Sequence, residues 1–219
     1  MSNESKALVL LSGGQDSATC LAWSLTRFAE VSAVCFDYGQ RHRVELELAR
    51  ELAKEAGVSF EVLGFDLFSS LTRNSLTSLD MEIDTEDGEL PNTFVPGRNL
   101  MFLTVAAIAA YQRGCRTLVT GVCQTDYSGY PDCREPFVEA TQKAISLALD
   151  VPFTVETPLM HLTKAATVLM MKELGKLDWY ARTHTCYEGL RPACGTCPAC
   201  VLRLKGFEEA GISDPLDYQ

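Results

Sequence analysis

Ala7-Leu8-Val9-Leu10-Leu11-Ser12-Gly13-Gly14-Gln15-Asp16-Ser17 decides the fold of this chain. Its unbroken apolar run, Ala7 to Leu10, has the pattern of a strand buried on both faces. A tight polar turn follows, and an apolar-periodic segment of helical spacing begins directly after it. Two glycines let the backbone turn sharply and come close to a ligand. Ser12 and Ser17 supply hydroxyls, and the first amides of the helix point unpaired N–H groups at the same place. Such a turn binds phosphate. Leu11, Ser12, Gly13, Gly14, Gln15, Asp16 and Ser17 are therefore the expected nucleotide-binding residues. A glycine pair alone would suit any strand–helix turn, but the full Ser-Gly-Gly-x-Asp-Ser pattern is more specific.

Outward from this turn the chain alternates. Residues 6–11 predict a strand, 18–30 a helix, 31–36 a strand, 41–56 an amphipathic helix whose charges form a solvated outer face, and 58–63 a third strand. Connections of helical length imply parallel strands with right-handed crossovers. Ligands of such a sheet bind at the carboxyl ends of its strands. Residues 66–96 break the pattern and predict a long excursion over the site. Arg98 stands at the start of an almost wholly apolar helix over 100–112, expected to be central and buried, with Asn99 as its N-cap. Arg98 there suits an anion. A strand is expected over 116–121, then a polar, aromatic loop over 122–134, a helix over 135–149 and a short strand over 154–156. The last of these helices, 163–174, is capped by Thr163. Lys164 in its first turn opposes the helix dipole, which suits an anionic partner. The fold class is α/β: an open parallel five-stranded sheet flanked by helices, occupying residues 1–180, with a small C-terminal metal-binding subdomain over 181–219.

Of the 219 residues 47% are hydrophobic, enough for a full core, and the net charge is −10. An acidic chain argues against a function built on nucleic-acid phosphates. No signal-peptide pattern is seen and no apolar run is long enough to span a bilayer, so a cytoplasmic protein with no membrane partner is expected. In that compartment nine cysteines need an explanation other than disulfides. Cys20, Cys35, Cys115 and Cys123 sit among apolar residues and suit burial. Cys186-x7-Cys194-x2-Cys197-x2-Cys200 is different. Four thiolates at this spacing suit one tetrahedral, structural Zn2+ that folds a tail with little core of its own. An iron–sulfur cluster and dithiol redox chemistry are the alternatives. His184 is read as a neighbour of this cluster, since four cysteines complete the shell.

Ser12-Gly13-Gly14-Gln15-Asp16-Ser17 resembles the loop of the PP-loop (N-type) ATP pyrophosphatases. It is not a Walker A loop, because no Gly-Lys-Ser/Thr follows. Phe36-Asp37-Tyr38-Gly39-Gln40-Arg41-His42, Phe94-Val95-Pro96-Gly97-Arg98-Asn99, Asp126-Tyr127-Ser128-Gly129-Tyr130-Pro131-Asp132-Cys133-Arg134 and the four-cysteine tail resemble one branch of that superfamily, which works in queuosine precursor biosynthesis. The resemblance spans nearly the whole chain except residues 66–89. It implies an adenine nucleotide alpha hydrolase-like fold. It also implies a C–N ligase that turns 7-carboxy-7-deazaguanine and ammonia into the nitrile through an adenylated carboxylate and an amide, with ATP as co-substrate. On this resemblance the loop holds the pyrophosphate end of ATP and Asp16 helps bind Mg2+. Arg98 and Lys164 are assigned here to neutralising the developing phosphate charge, a role expected from their placement. Tyr38, Gln40, Asp126, Tyr130, Asp132 and Arg134 bind the deazapurine, and Cys133 lines the pocket, since adenylate chemistry needs no thiol nucleophile. No nucleic-acid partner is implied, and the oligomeric state, a homodimer included, is left open. The rivals are a tRNA-thiolating enzyme of the same superfamily, against which the acidic charge counts, and a zinc-ribbon binding module with a vestigial ATP loop, against which the intact signature counts.

Overall fold

Side chains alternate across a strand, and here both faces are covered. Ala7 and Val9 of the first strand pack into one core with Ala33 and Cys35 of the second. Leu8, Val34 and Phe36 pack into another on the opposite face. The computed structural model describes residues 5–40, 44–65, 68, 71, 74–76, 92–125 and 129–219. Its strands are β1 (Lys6–Leu10), β2 (Glu30–Asp37), β3 (Ser59–Gly64), β4 (Thr117–Val119) and β5 (Thr154–Glu156). They form one sheet in the order β3-β2-β1-β4-β5 with every pairing parallel. The expected open five-stranded α/β sheet is what the chain builds. The order reverses direction at β1, so the crevice beyond the ends of β1 and β4 is the place where such a sheet binds its ligand.

The described helices of more than two turns are α1 (Gln15–Leu25), α2 (Val44–Ala56), α3 (Arg98–Gln112), α4 (Glu135–Leu149), α5 (Lys164–Glu173) and α6 (Pro198–Ala210). Residues of α1, α2, α5 and α6 share the first core, into which Trp179, Tyr180 and Phe207 are buried. Residues of α3 and α4 share the second. Two boundaries move from the expected ones. Helix α1 begins at Gln15, directly on the glycine turn, and ends at Leu25. β2 starts early, at Glu30, because Glu30 is in register with Lys6 and its carboxylate pairs with the Lys6 ammonium at 2.5 Å.

Helix α3 departs from the expected central burial. Leu103, Ala106, Ala107 and Ala110 are buried, but Leu100, Ile108 and Tyr111 are exposed, so it covers one face of the sheet as an outer layer. Apolar residues on all sides therefore do not place a helix in the middle of a domain. Asn99 is not its N-cap either: the cap is Gly97, in left-handed backbone at φ 74°, which offers no side chain. The Asn99 amide is satisfied instead by the Asp132 carboxylate, 3.1 Å away. Most of the excursion over 66–96 lies outside the described residues.

Arg203 ties α6 to the rest of the chain. Its guanidinium donates to both oxygens of Asp214, at 2.7 and 2.8 Å, and to the hydroxyls of Thr183 and Thr185 and the Tyr180 carbonyl. The two side chains of the pair are 1% and 4% exposed. Removing one partner of such a pair strands the other charge in the interior. Arg203→Leu should cost about 3–5 kcal/mol, read as a drop in chemical-denaturation stability, with Asp214→Asn costing less because the amide still accepts.

Candidate active site

The turn after β1 is held by its own hydroxyls. Ser17 Oγ accepts from the Ser12 amide at 3.2 Å and donates to the Gly14 carbonyl at 3.0 Å, while Ser12 Oγ lies 3.1 Å from Ser17 Oγ. Gly13 has φ 86°, and a Cβ built on it would stand 2.5 Å from the Glu45 carbonyl oxygen. Only glycine lets the turn lie this close on α2. The N-cap of α1 is Gly14, without a side-chain cap, so the first amides of α1 keep their N–H groups for a ligand. Just beyond the end of β4, Gly121 closes on the same place: a Cβ there would meet the Asp16 Cβ at 3.1 Å.

Asp16 faces two ways. Its Oδ2 takes a hydrogen bond from Lys164 Nζ at 2.5 Å, and its Oδ1 is buried without a hydrogen-bond partner. Lys164 opens α5 against the helix dipole, and the carboxylate of Asp16 is what offsets this. Gly206 of α6 presses onto it, since a Cβ at that glycine would lie 2.6 Å from the Lys164 Cβ.

A cavity of about 330 Å3 runs from this turn along the sheet edge. Ser12, Asp16 and Ser17 line one end. Arg98, Phe102, Tyr38, Tyr130 and Tyr187 line the other, with Glu45 also in its wall. Arg98 Nη1 donates to the Tyr38 hydroxyl at 3.4 Å. Burial works against its charge, but the phenols of Tyr38, Tyr130 and Tyr187 outweigh this and keep it cationic. Phe36 and Phe102 stack at 4.3 Å, and Tyr130 stacks on Phe94 at 5.7 Å. The cavity thus joins the glycine turn to an aromatic chamber holding one guanidinium.

The four C-terminal cysteines converge. Their sulfurs all lie within 4.8 Å of one another, which is what a single metal ion needs from a tetrahedral thiolate set. A hydrogen bond from Cys200 pulls the Cys197 thiol down to about 4, so one thiolate is favoured in advance. The tail is tied to the site at two points. The His184 amide donates to the Gly13 carbonyl at 2.9 Å, and the Tyr187 amide points at Cys197 Sγ at 3.4 Å.

A family model described as "Queuosine biosynthesis protein QueC" matches residues 6–211. The chain belongs to the QueC family. A protein of Laribacter hongkongensis (strain HLHK9) named 7-cyano-7-deazaguanine synthase is 58% identical over 213 residues, 96% of this chain and 93% of that one. Another of that name, from Bacillus subtilis (strain 168), is 53% identical over 206 residues, 93% of this chain and 94% of that one. Among solved structures, the U34-tRNA thiolase NcsA from Methanococcus maripaludis with its [4Fe-4S] cluster superposes with a TM-score of 0.52 at 17% identity, covering 95% of this chain and 68% of that one. A 4-thiouridine synthetase–RNA complex with bound ATP gives 0.50 at 18%, covering 96% and 52%. At these identities the likeness is one of fold.

Within this QueC-family cavity, the expected residues divide. Leu11, Ser12, Asp16, Ser17, Arg98, Tyr38, Gln40, Tyr130 and Cys133 line it. Gly13, Gly14 and Gln15 build the turn behind it, and Lys164 reaches it through Asp16. Gln40 is committed to its own turn: its amide donates to the Phe36 carbonyl at 3.0 Å and accepts from the Tyr38 amide at 2.9 Å. Asp132 is not among the lining residues, because its carboxylate caps α3. Arg134 donates to the Gly129 carbonyl at 3.3 Å and also lies off the lining. Asp126 lies outside the described residues. The four buried cysteines outside the tail are buried as expected, and two of them, Cys35 and Cys123, line the cavity. Tyr187 and Glu45 are among the lining residues that the sequence does not point to. Tyr187 carries no motif of its own beside the cysteine pattern. Glu45 reads as one of the solvated charges of α2, yet it lines the cavity, with its carbonyl oxygen close on Gly13.

Proposed function

We propose that the chain is a 7-cyano-7-deazaguanine synthase that converts 7-carboxy-7-deazaguanine and ammonia to the nitrile at the expense of ATP. The observation that carries this is near-full-length identity of 58% to a relative of that name, with the glycine turn and Arg98 opening into one cavity. A carboxylate resists ammonia because it is anionic and has a poor leaving group. Transfer of AMP to it supplies the leaving group, ammonia displaces AMP to give the amide, and a second activation of the amide oxygen allows its elimination as AMP. The turn from Ser12 to Ser17 would take the pyrophosphate end of ATP on its amides and hydroxyls. The open oxygen of Asp16 suits a Mg2+ ion, which would spread the charge of the departing pyrophosphate. Arg98 suits the carboxylate of the substrate or the acyl phosphate oxygens made from it. Phe102, Tyr38, Tyr130 and Tyr187 suit a flat bicyclic base.

The cysteine cluster is proposed to hold one structural Zn2+. A four-iron cube would set each thiolate on a separate iron and spread them further apart than a single ion does. The domain limits 1–180 and 181–219 belong to the same proposal, with the tail fastened to the larger unit through α6. The thiolating alternative needs a reactive cysteine in the cavity. Burial pushes the Cys35 thiol up to about 12, which weakens it as a nucleophile, so Cys123 and Cys133 are the lining thiols that the thiolating reading would use. Among the described residues no helix is long and apolar enough to cross a membrane. The oligomeric state stays open, a homodimer included, and is to be read from sedimentation. Incubation with ATP, Mg2+, ammonium and the acid should yield the nitrile by mass spectrometry, with AMP formed. Sulfur transfer to tRNA without turnover of the acid would overturn the proposal.

A further inference from the structure

Ammonia brings three N–H bonds to this reaction and the nitrile keeps none, so three protons must leave one nitrogen. The first leaves when the nitrogen lone pair has joined the acyl carbon and AMP departs, giving the amide. The second leaves as the amide oxygen is adenylated. The third leaves as AMP departs again, its C–O bond breaking while the N–H pair becomes the last bond of the nitrile. A proton acceptor beside the acyl carbon serves all three steps.

The described acidic groups around the cavity are mostly engaged elsewhere. Asp16 is paired with Lys164, and the Asp132 carboxylate caps α3. The Tyr187 phenol is pushed far up by burial and cannot accept at neutral pH. Glu45 is different. It stands in the first turn of α2, its carbonyl oxygen seated on Gly13, and it lines the same cavity as the glycine turn and Arg98, whose charge acts on its carboxyl group. Among the described residues its carboxyl group makes no hydrogen bond or salt bridge. A half-buried carboxyl group lining a cavity with no such partner is a candidate working group. Resting on the synthase activity proposed above, we infer that Glu45 is the proton acceptor for the attacking nitrogen and faces it across the acyl carbon from Arg98.

Its titration fits the task. Burial raises the Glu45 carboxyl to about 7, the Arg98 charge pulling the other way. Tyr38 and Cys35 also face it, and burial holds both protonated near neutrality. Glu45 therefore changes charge near neutral pH, able both to take a proton and to pass it to water. Its ionised form is the active one, so the rate rises with pH through about 7.

The test separates the half-reactions. Glu45→Gln should keep exchange of pyrophosphate into ATP driven by the acid, which reports adenylation and an intact fold. It should lose amide and nitrile formation by about 10²–10³-fold. Plotted against free ammonia, the wild-type rate should show an ascending limb near pH 7 that Glu45→Gln lacks, and Glu45→Asp should restore part of both. Nitrile formation within threefold of wild type, or an unchanged limb, would overturn the inference. Loss of exchange along with nitrile formation would overturn it too, by placing Glu45 in acid binding or in the fold. If wild-type protein makes no nitrile at all, it is the synthase proposal that falls.

Discussion

Lys164→Met should slow pyrophosphate release from ATP by about 10²–10³-fold, the size seen when one preorganised charge is taken from a transition state. Methionine keeps the apolar stem that Gly206 of α6 packs against, so the substitution removes the charge and little else. Adenylation breaks a phosphate anhydride, and negative charge grows on the departing pyrophosphate. Lys164 is the cation that Asp16 holds at the glycine turn, 2.5 Å from its Oδ2. With the lysine gone, one of the two cations proposed to meet that growing charge is lost and the Asp16 carboxylate is offset by Mg2+ alone. Asp16→Asn is the companion: it keeps the shape, loses the anion, and should raise the Mg2+ concentration needed for half-maximal exchange. Pyrophosphate exchange and rapid-quench measurement of AMP formation read both. Exchange by Lys164→Met within threefold of wild type would remove the lysine from the adenylation step.

The sheet was legible because its causes are local. Apolar runs, glycine stops and helical periodicity lie within ten or so residues, and they placed all five strands. The glycine turn and the cysteine spacing were legible for the same reason, each being a short contiguous pattern. What escaped was made by approaches between distant segments. Glu45 reads as one more acid on a charged helix until Gly13 seats α2 on the turn. Asp132 looks like a pocket residue until the Asn99 amide, 33 positions earlier in the chain, claims its carboxylate. The exposed face of α3 follows from layer order, which no window within the helix contains. Arg203 resembles a surface charge, yet it is buried because Asp214 and the Thr183 and Thr185 hydroxyls surround it.

Cys197→Ser should abolish both metal content and synthase activity although no cysteine of the cluster touches the cavity except through its neighbours. Cys197 is the N-cap residue of α6, and Cys200 lies in that helix's first turn, so the metal would fix where α6 begins. From there α6 carries Gly206 against Lys164 and Phe207 into the first core. On the other side of the cluster, Tyr187 lines the cavity and the His184 amide holds the Gly13 carbonyl. Without a metal, four thiols within 4.8 Å have no common partner, and ionising more than one of them becomes costly. Structural zinc contributes folding free energy directly, and losing one of four ligands costs several kcal/mol. At about 2–4 °C per kcal/mol for a chain of this size, the melting temperature should fall by about 10 °C or more. Because the same segment holds Lys164 and the glycine turn, exchange activity should fall with it, whereas Arg203→Leu should lower stability and leave the metal bound. Metal analysis, thermal melting and pyrophosphate exchange on the same preparation decide the matter. A metal-free Cys197→Ser protein that melts and exchanges like wild type would show that the tail neither needs the ion nor positions the site.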